Sequence, residues 1–551
     1  FCRSHSLIVN IRFNLYKRIP IIEGMKSIVF LFAGFRQSHA FDKVFSSSSA
    51  FARCLVWACG IKDSPDIFIA AVPETEGFVK DAVKVCGLKN VSVVSKPSWT
   101  TLSLVQTMAS SCTAKNAGCA VYSAADRPFL DSALTQEVMD CHSKYLAEYT
   151  FADGYPKGFA PEVIDAGTLA ILSSLAQNRF KEAGDAPVSS ECLWNLIKGD
   201  INSFEIECVV APKDWRLLRL DFSCCSRINL EACKNLYKAA LDERIPFKAE
   251  SLSDFAENRP DILKTVPAFY NIQISAEDAS VADYTPAFLK CTGGMENMGL
   301  EKFRALLSQI AEFSETAVVG LSARGEPLKV NSLCDYIESV LSFPGLSVLV
   351  ETDGTLVTET LADKILVALK NAPARAVKKS AVTWIVMLDA FSEEKYSSMR
   401  HGGNFAAAVN AVQILGRRFP SCVYPQFTRV NENEDELEKF YRFWHEKDSP
   451  SGGKLIVKKY DSCCAVLPDR KPADLSPLER CPCWHLRRDM IVLCDGSVPL
   501  CQECICEEPA GNVFEEGVQS VWNKIELSSD GTSVSKKDKC GKCDEYYTFN
   551  F

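Results

Sequence analysis

Ala317-Val-Val-Gly-Leu-Ser322 and Leu346-Ser-Val-Leu-Val-Glu351 are short apolar runs rich in β-branched residues, and each leads into a polar turn with a glycine, Gly325-Glu326-Pro327 and Thr352-Asp353-Gly354. Runs of this length and composition read as strands buried on both faces, as in parallel sheets. The unit recurs along the chain. Further strands are expected at Phe269–Ile274, Val382–Leu388, Val423–Thr428 and Leu455–Lys459, with helices such as Leu300–Phe313 and Asn404–Arg418 between them. Six successive βα units without a reversal signal predict a partial (βα)6 barrel over residues 266–462, its chemistry at the carboxyl ends of the strands.

Upstream, the alternation has a different rhythm. Ser27–Gly34, Asp66–Val72, Val91–Ser95 and Gly118–Asp126 have the character of buried strands, and amphipathic segments such as Ala133–Glu148 separate them. This predicts a doubly wound α/β domain over residues 25–237, with Gly34 and Asp126 on the ligand-binding edge. The polar, proline-containing stretch 249–265 reads as a linker. Residues 1–24 begin with Phe1 and lack the small-residue cleavage site of a secretory signal; they are expected to be an upstream extension outside the fold, with Met25 the true start.

A chain of 551 residues holds several domains. A net charge of −9 and a pI near 5.5 leave no basic patch for nucleic acid, and no run of eighteen apolar residues exists to cross a membrane. Expected partners are therefore small molecules or proteins. The seventeen cysteines before residue 480 are scattered, as reduced core thiols are, and point to the cytoplasm.

The remaining eight cysteines fall within the last seventy-one residues, at Cys481, Cys483, Cys494, Cys501, Cys504, Cys506, Cys540 and Cys543. Twelve residues and Gly496 follow Cys483, four more lead to Cys501, and Cys540-Gly-Lys-Cys543 closes the pattern. Two such thiolate arms supply the four soft ligands of an iron-sulfur cluster or of zinc, and spacing alone fits both. Asp495-Gly496 between apolar runs predicts a hairpin that brings Cys483 close to Cys501. Cys494 alternates onto a strand and is expected in the core; His485 beside Trp484 is expected to be structural rather than a ligand. The acidic run Asn431–Glu438 reads as a solvated helix start.

Three resemblances follow from these residues. Val29-Phe-Leu-Phe-Ala-Gly34 with Lys43, Tyr122-Ser-Ala-Ala-Asp126-Arg-Pro128 and Tyr155-Pro-Lys-Gly-Phe-Ala-Pro-Glu162 resemble the nucleotide-sugar and cytidylyltransferase fold. The resemblance implies a glycine-rich loop for the triphosphate, a neutralising lysine at Lys43 and magnesium on Asp126. Here the loop reads Gly34-Phe-Arg-Gln-Ser-His-Ala-Phe-Asp-Lys43, whose bulky side chains obstruct the approach of backbone amides to phosphate. A retained fold with its activity lost is expected, the alternative being a nucleotidyltransferase that acts on a sugar or similar acceptor through Asp126.

Gly325-Glu326-Pro327, Thr352-Asp353-Gly354 and Leu388-Asp389-Ala390 with Tyr396 and Arg400 resemble the radical S-adenosylmethionine superfamily, in that order. The resemblance implies that Gly325, Glu326, Pro327 and Asp353 offer a surface for S-adenosylmethionine. Where that superfamily carries C-x-x-x-C-x-x-C, this chain has Asp278, Ala282 and Thr285, so no cleaving cluster is expected. Trp484–Cys501, Gly511-Asn-Val-Phe514 and Val521-Trp522 resemble the SPASM domain, expected over residues 475–551 with an auxiliary four-iron four-sulfur cluster. The resemblance implies Cys483, Cys501, Cys540 and Cys543 as ligands, with Cys481 able to replace Cys483 and Cys504 a fourth position. The whole constellation resembles a spirochaete-type SPASM protein, an accessory, binding or electron-transfer protein that does not cleave S-adenosylmethionine.

Overall fold

The computed structural model describes residues 26–35, 38–63, 65–183, 186–291, 295–375, 380–473, 476–477, 482–528, 531–533, 535, 537–543, 545–546 and 548, with the side chains of 179–183 and 537 excepted. The expected extension 1–24, Met25 and Cys481 lie outside these residues. The chain forms two compact units. One comprises the described residues up to Cys225 with Pro246–Ser253; the other comprises Ser226–Ile245 with the described residues from Asp254 onward. Residues 226–237 therefore belong with the second unit rather than with the expected first domain.

The linker expected at 249–265 is instead the helix Ala249–Asn258 followed by the 3-10 turn Pro260–Leu263. Ala249, Leu252 and Ala256 are buried at a helical spacing that the polar residues between them disguise.

In the first unit, β1 (Ser27–Phe32), β2 (Asp66–Ala71), β3 (Val91–Ser95), β4 (Cys119–Ala124), β5 (Tyr149–Asp153), β6 (Glu162–Asp165) and β7 (Ile206–Val210) make one sheet in the order β3-β2-β1-β4-β6-β5-β7. β1 to β4 are parallel, and β6 runs against β4 and β5. Ile28, Phe30 and Phe32 pack into one core while Val29, Leu31 and Ala33 pack into another. Alternate side chains of β1 thus enter opposite helix-covered layers, which is why the run is apolar throughout. The four expected parallel strands are all present; β5, β6 and β7 were not among them.

The second unit is built on β8 (Phe269–Ile272), β10 (Ala317–Gly320), β11 (Leu346–Thr352), β12 (Val382–Met387), β14 (Val423–Arg429) and β15 (Ile456–Lys459), which are the six expected barrel strands. Two-residue strands β9 (Val281–Ala282) and β13 (Arg400–His401) pair with each other. β16 (Asp489–Val492) joins the barrel sheet beside β8, and β17 (Ser497–Val498) pairs with β18 (Gly511–Asn512). The large sheet runs β15-β14-β12-β11-β10-β8-β16 with every neighbour parallel. Sequential parallel order is the winding of a barrel left open.

One face carries Tyr270, Val319, Val348, Trp384 and Phe427 into the helical layer. The period of two turns Asn271, Glu351, Met387, Gln426 and Lys458 to the other face, where they line a cavity. The hairpin expected across Asp495-Gly496 keeps its turn, with Leu493 donating to Ser497 and Gly496 to Leu493, but its first arm pairs with β8. The cysteine-rich segment is accordingly part of the barrel unit and not a separate body.

Gly325 sits in the left-handed region at φ +75°, and a Cβ there would collide with the Ser275 carbonyl. Gly325→Ala is expected to lower the stability of the second unit by about 1–3 kcal/mol, since an L residue at such a φ is strained before any collision is counted. Urea unfolding followed by barrel tryptophan fluorescence measures this; an unshifted midpoint contradicts the assignment.

Candidate functional site

The carboxyl ends of the barrel strands and the cysteine-rich segment enclose a cavity of about 440 Å3. That volume suits one small ligand. Its barrel wall includes Gly325, Glu326, Glu351, Arg400, Gln426 and Lys458, and its opposite wall includes Cys464, Cys483, Cys501, Cys504, Cys540 and Cys543.

The two glycine-bearing turns meet beside the cavity; of the four residues expected to bind the cofactor, Gly325 and Glu326 line it and Pro327 and Asp353 do not. Glu326 is buried and accepts hydrogen bonds from Thr352 Oγ1 at 2.7 Å, Asp353 N at 3.1 Å and Leu328 N at 3.1 Å. Burial, then the neighbouring Asp353 carboxylate, push its pKa up to about 7. Asp353 is 1% exposed, one carboxylate oxygen accepts from Thr355 N, and the other, Oδ2, has no partner among the described residues. An unpaired buried carboxylate oxygen is costly. Gly325 and Pro327 contribute the turn that aims Glu326. Pro327 opens the 3-10 turn Pro327–Lys329, which Glu326 caps.

The third resemblance segment is an ion pair. Asp389 and Arg400 are buried, with Nε donating to Oδ2 at 2.9 Å, and Asp389 Oδ1 accepts from Thr428 N at 2.7 Å. Arg400 also donates to Ser280 Oγ at 2.9 Å, while its strand β13 pairs with Ala282. These contacts hold the loop after β8 against the barrel mouth. Asp278, Ala282 and Thr285 all line the cavity, but Asp278 is engaged by the amide of Cys291 at 2.8 Å and Ala282 offers no donor atom. These residues do not fit a cluster that needs three thiolates.

On the other wall the thiols act on one another: Cys504 holds Cys501 well above the usual thiol range, and Cys543 holds Cys464 above it. Cys483 lies close enough to Cys543 and Cys540 for their charges to act on it; burial, the larger cause, pushes its pKa up to about 12. In the second pair Cys464 holds Cys543 below the usual thiol range, helped by the Glu545 amide at 3.4 Å, while Cys464 itself is held above it. The cavity is lined by more soft donors than the four a four-iron cluster needs, and their sulfurs are not gathered closely enough for a single zinc ion among the described residues.

Cys483, Cys501, Cys504, Cys540 and Cys543 all line this cavity, but among the described residues no three of these sulfurs form a group with ligand atoms within 4.8 Å of one another. Cys464, on the loop after β15, was missed, since a Cys-Cys pair far from the others carries no ligand spacing. Its neighbour Cys463 instead forms, with Asp461 and Glu503, a group whose ligand atoms lie within 4.8 Å of one another. Burial and Asp461 push Glu503 up to about 9. His485 bonds Asp489 at 2.6 Å; burial alone would depress its pKa, but that carboxylate raises it. Cys494 is buried and hydrogen-bonds to the Gln273 carbonyl, a core position as expected.

In the first unit Asp126 is 1% exposed and its Oδ1 has no partner among the described residues. Burial first, with Asp221 adding to it, pushes its pKa up to about 6 against the opposing charge of Arg127. Lys43 is exposed and makes no ion pair with Asp126 among the described residues. Gly34 has a packing reason. A Cβ there would come within 2.6 Å of the Trp99 indole, which is anchored by Nε1 to the Ala71 carbonyl.

No protein-family model matches the chain. Among solved structures, a cytidylyltransferase from Leptospira borgpetersenii serovar Hardjo-bovis (strain JB197) aligns with a TM-score of 0.36 and 15% identity, over 44% of this chain and 97% of that one. Streptococcus suis SuiB bound to precursor peptide SuiA aligns with a TM-score of 0.40 and 10% identity, over 68% of this chain and 84% of that one. An uncharacterized protein of Treponema pallidum (strain Nichols) is 38% identical over 376 residues, which cover 65% of this chain and 98% of that protein. With that identity across nearly the whole of its relative, the chain belongs to the family of this Treponema pallidum protein.

Proposed function

We propose that the chain is an iron-sulfur protein of the radical S-adenosylmethionine superfamily that binds a small ligand or passes electrons as an accessory protein, without cleaving S-adenosylmethionine. The observation that carries this reading is the make-up of one cavity, where seven cysteines share the lining with strand-end carboxylates and the loop after β8 presents Asp278, Ala282 and Thr285. A four-iron cluster held there by Cys483, Cys501, Cys540 and Cys543 would supply one-electron chemistry next to the ligand. The Glu326 carboxylate would accept from an amino group, as in S-adenosylmethionine, with Asp353 behind it, and Lys458 with Gln426 would meet the polar remainder.

Anaerobic reconstitution is expected to give brown protein with about four irons per chain, and Cys501→Ser to lose most of them. Stoichiometric zinc without iron would refute the cluster. Incubation of the reconstituted protein with dithionite and S-adenosylmethionine is expected to yield no 5′-deoxyadenosine above a protein-free control, because a cluster with four protein thiolates leaves no open iron for the methionine. Multiple turnovers of that product would overturn the reading.

A second reading, nucleotidyl transfer in the first unit, is favoured by the unpartnered Asp126 oxygen, which is the kind of atom a magnesium ion satisfies. Against it stand the exposed Lys43 and the Trp99 ring over Gly34. Nucleoside triphosphate with magnesium is therefore expected to bind no tighter than millimolar, since loop amides kept from the phosphates forfeit their charge-assisted hydrogen bonds. Micromolar binding by calorimetry that vanishes in Asp126→Ala would establish the transferase instead.

A further inference from the structure

Asp461, Cys463 and Glu503 come from two distant stretches of the barrel unit and all line its cavity. Asp461 and Cys463 follow the end of β15, and Glu503 sits on the 3-10 turn Gln502–Cys504, which Gln502 Nε2 ties to the Ala323 carbonyl at 3.1 Å. One ligand atom from each, two carboxylate oxygens and a sulfur, lies within 4.8 Å of the other two. Cys463 is 4% exposed; its sulfur is 3.6 Å from Asp461 Oδ2, and its amide donates to Asp461 Oδ1 at 2.8 Å. Cys463, Cys464 and Ala465 all have left-handed backbones, at φ of 54°, 59° and 63°, a succession unfavourable for L side chains that makes the turn on which Cys463 meets Asp461.

This group lacks a counter-charge. Glu503 Oε2 is closed to solvent and has no hydrogen-bond partner among the described residues. Two lysines of the same cavity are already paired, Lys459 with Glu545 at 3.3 Å and Lys539 with Glu507. Two carboxylates and a thiol gathered so closely repel one another when ionised, and a divalent cation is the charge that reverses this.

We propose that Asp461, Cys463 and Glu503 hold one divalent ion of the zinc class, separate from the four-cysteine cluster. A thiolate among the donors selects against magnesium and calcium, whereas zinc takes sulfur and carboxylate oxygen together. On binding, the Cys463 S–H bond breaks, its electron pair goes to the metal and its proton to solvent. Three protein ligands leave a fourth position for water or for the ligand of the cavity. The ion ties the end of β15 to the cysteine-rich segment, and its ligand set shares no residue with the cluster reading.

Full-length protein, reconstituted anaerobically with iron and sulfide, is stripped of loosely held metal and titrated with zinc against a chromophoric chelator, and iron and zinc per chain are counted by elemental mass spectrometry. The parent is expected to take up about one zinc beyond its iron. Cys463→Ser and Glu503→Gln are each expected to weaken zinc by about tenfold or more, since loss of even an outer partner of a metal site costs that much, and to leave the iron count unchanged. Cys506→Ser, outside the cavity lining, is expected to change neither. A parent that takes up no zinc overturns the inference. So does zinc bound by either ligand variant as by the parent, or lost equally in Cys506→Ser, because it would then sit adventitiously at other thiols. A Cys463→Ser protein that loses its iron also overturns it, since Cys463 would belong to the cluster. If Cys463→Ser fails to fold, Glu503→Gln decides by the same readings. A parent without iron overturns the cluster reading alone, and the comparison of zinc between parent and variants is then read in the same way.

Discussion

Pairing of β16 with β8, Asp489 opposite Phe269 through Val492 opposite Ile272, is the constraint from which the site follows. Those parallel pairs make the cysteine-rich segment the edge strand of the barrel sheet. Cys483 then lies just before the strand, Cys494 just after it, and Cys501 reaches the barrel mouth, where Gln502 Nε2 donates to the Ala323 carbonyl at 3.1 Å. Trp522 Nε1, bonded to the Thr265 carbonyl at 2.8 Å, anchors the same segment from the other side. Without the pairing, the thiols would be a loose tail; with it, they form one wall of a cavity whose other wall is the barrel.

The electrostatics of that cavity are divided. On the barrel side Glu326 is buried next to Asp353, and burial first, then the Asp353 charge, pushes the Glu326 pKa up to about 7. The Asp389–Arg400 pair, by contrast, neutralises itself and leaves its hydrogen bonds to hold the loop after β8. On the thiol side, burial disfavours thiolates, and a metal is the counter-charge that would reverse this. Each wall is thus polar in a way that its own residues do not fully satisfy, which is the signature of a site built for something that enters it.

The first unit shows how a fold can keep the outline of a site while its details serve packing. Gly34 stands at the end of β1, where a phosphate loop would start, yet the space over it belongs to Trp99. Asp126 remains buried with a free oxygen beside Arg127 and Asp221. The fold places an acid at the right edge of the sheet, and the loop in front of it is filled with aromatic and basic side chains.

The six barrel strands and the first four strands of the N-terminal sheet were legible in the sequence, because apolar β-branched runs between helical stretches have few alternatives when both faces must be buried. Glu326, Asp353 and the cysteines Cys483, Cys501, Cys540 and Cys543 could be named only through the resemblances their segments carry, because spacing alone left both the metal and the ligand set open. The helix Ala249–Asn258 was hidden because its apolar residues are few and its turns polar. The partner of β16 was not legible, because a four-residue apolar run fits a hairpin and a barrel edge equally well until burial on the far side chooses. Cys464 could be found only in three dimensions. Its place in the cavity lining beside Cys543 depends on where β15 ends and on the left-handed turn beyond it, and the approach of residues so far apart in the chain leaves no periodicity in the sequence.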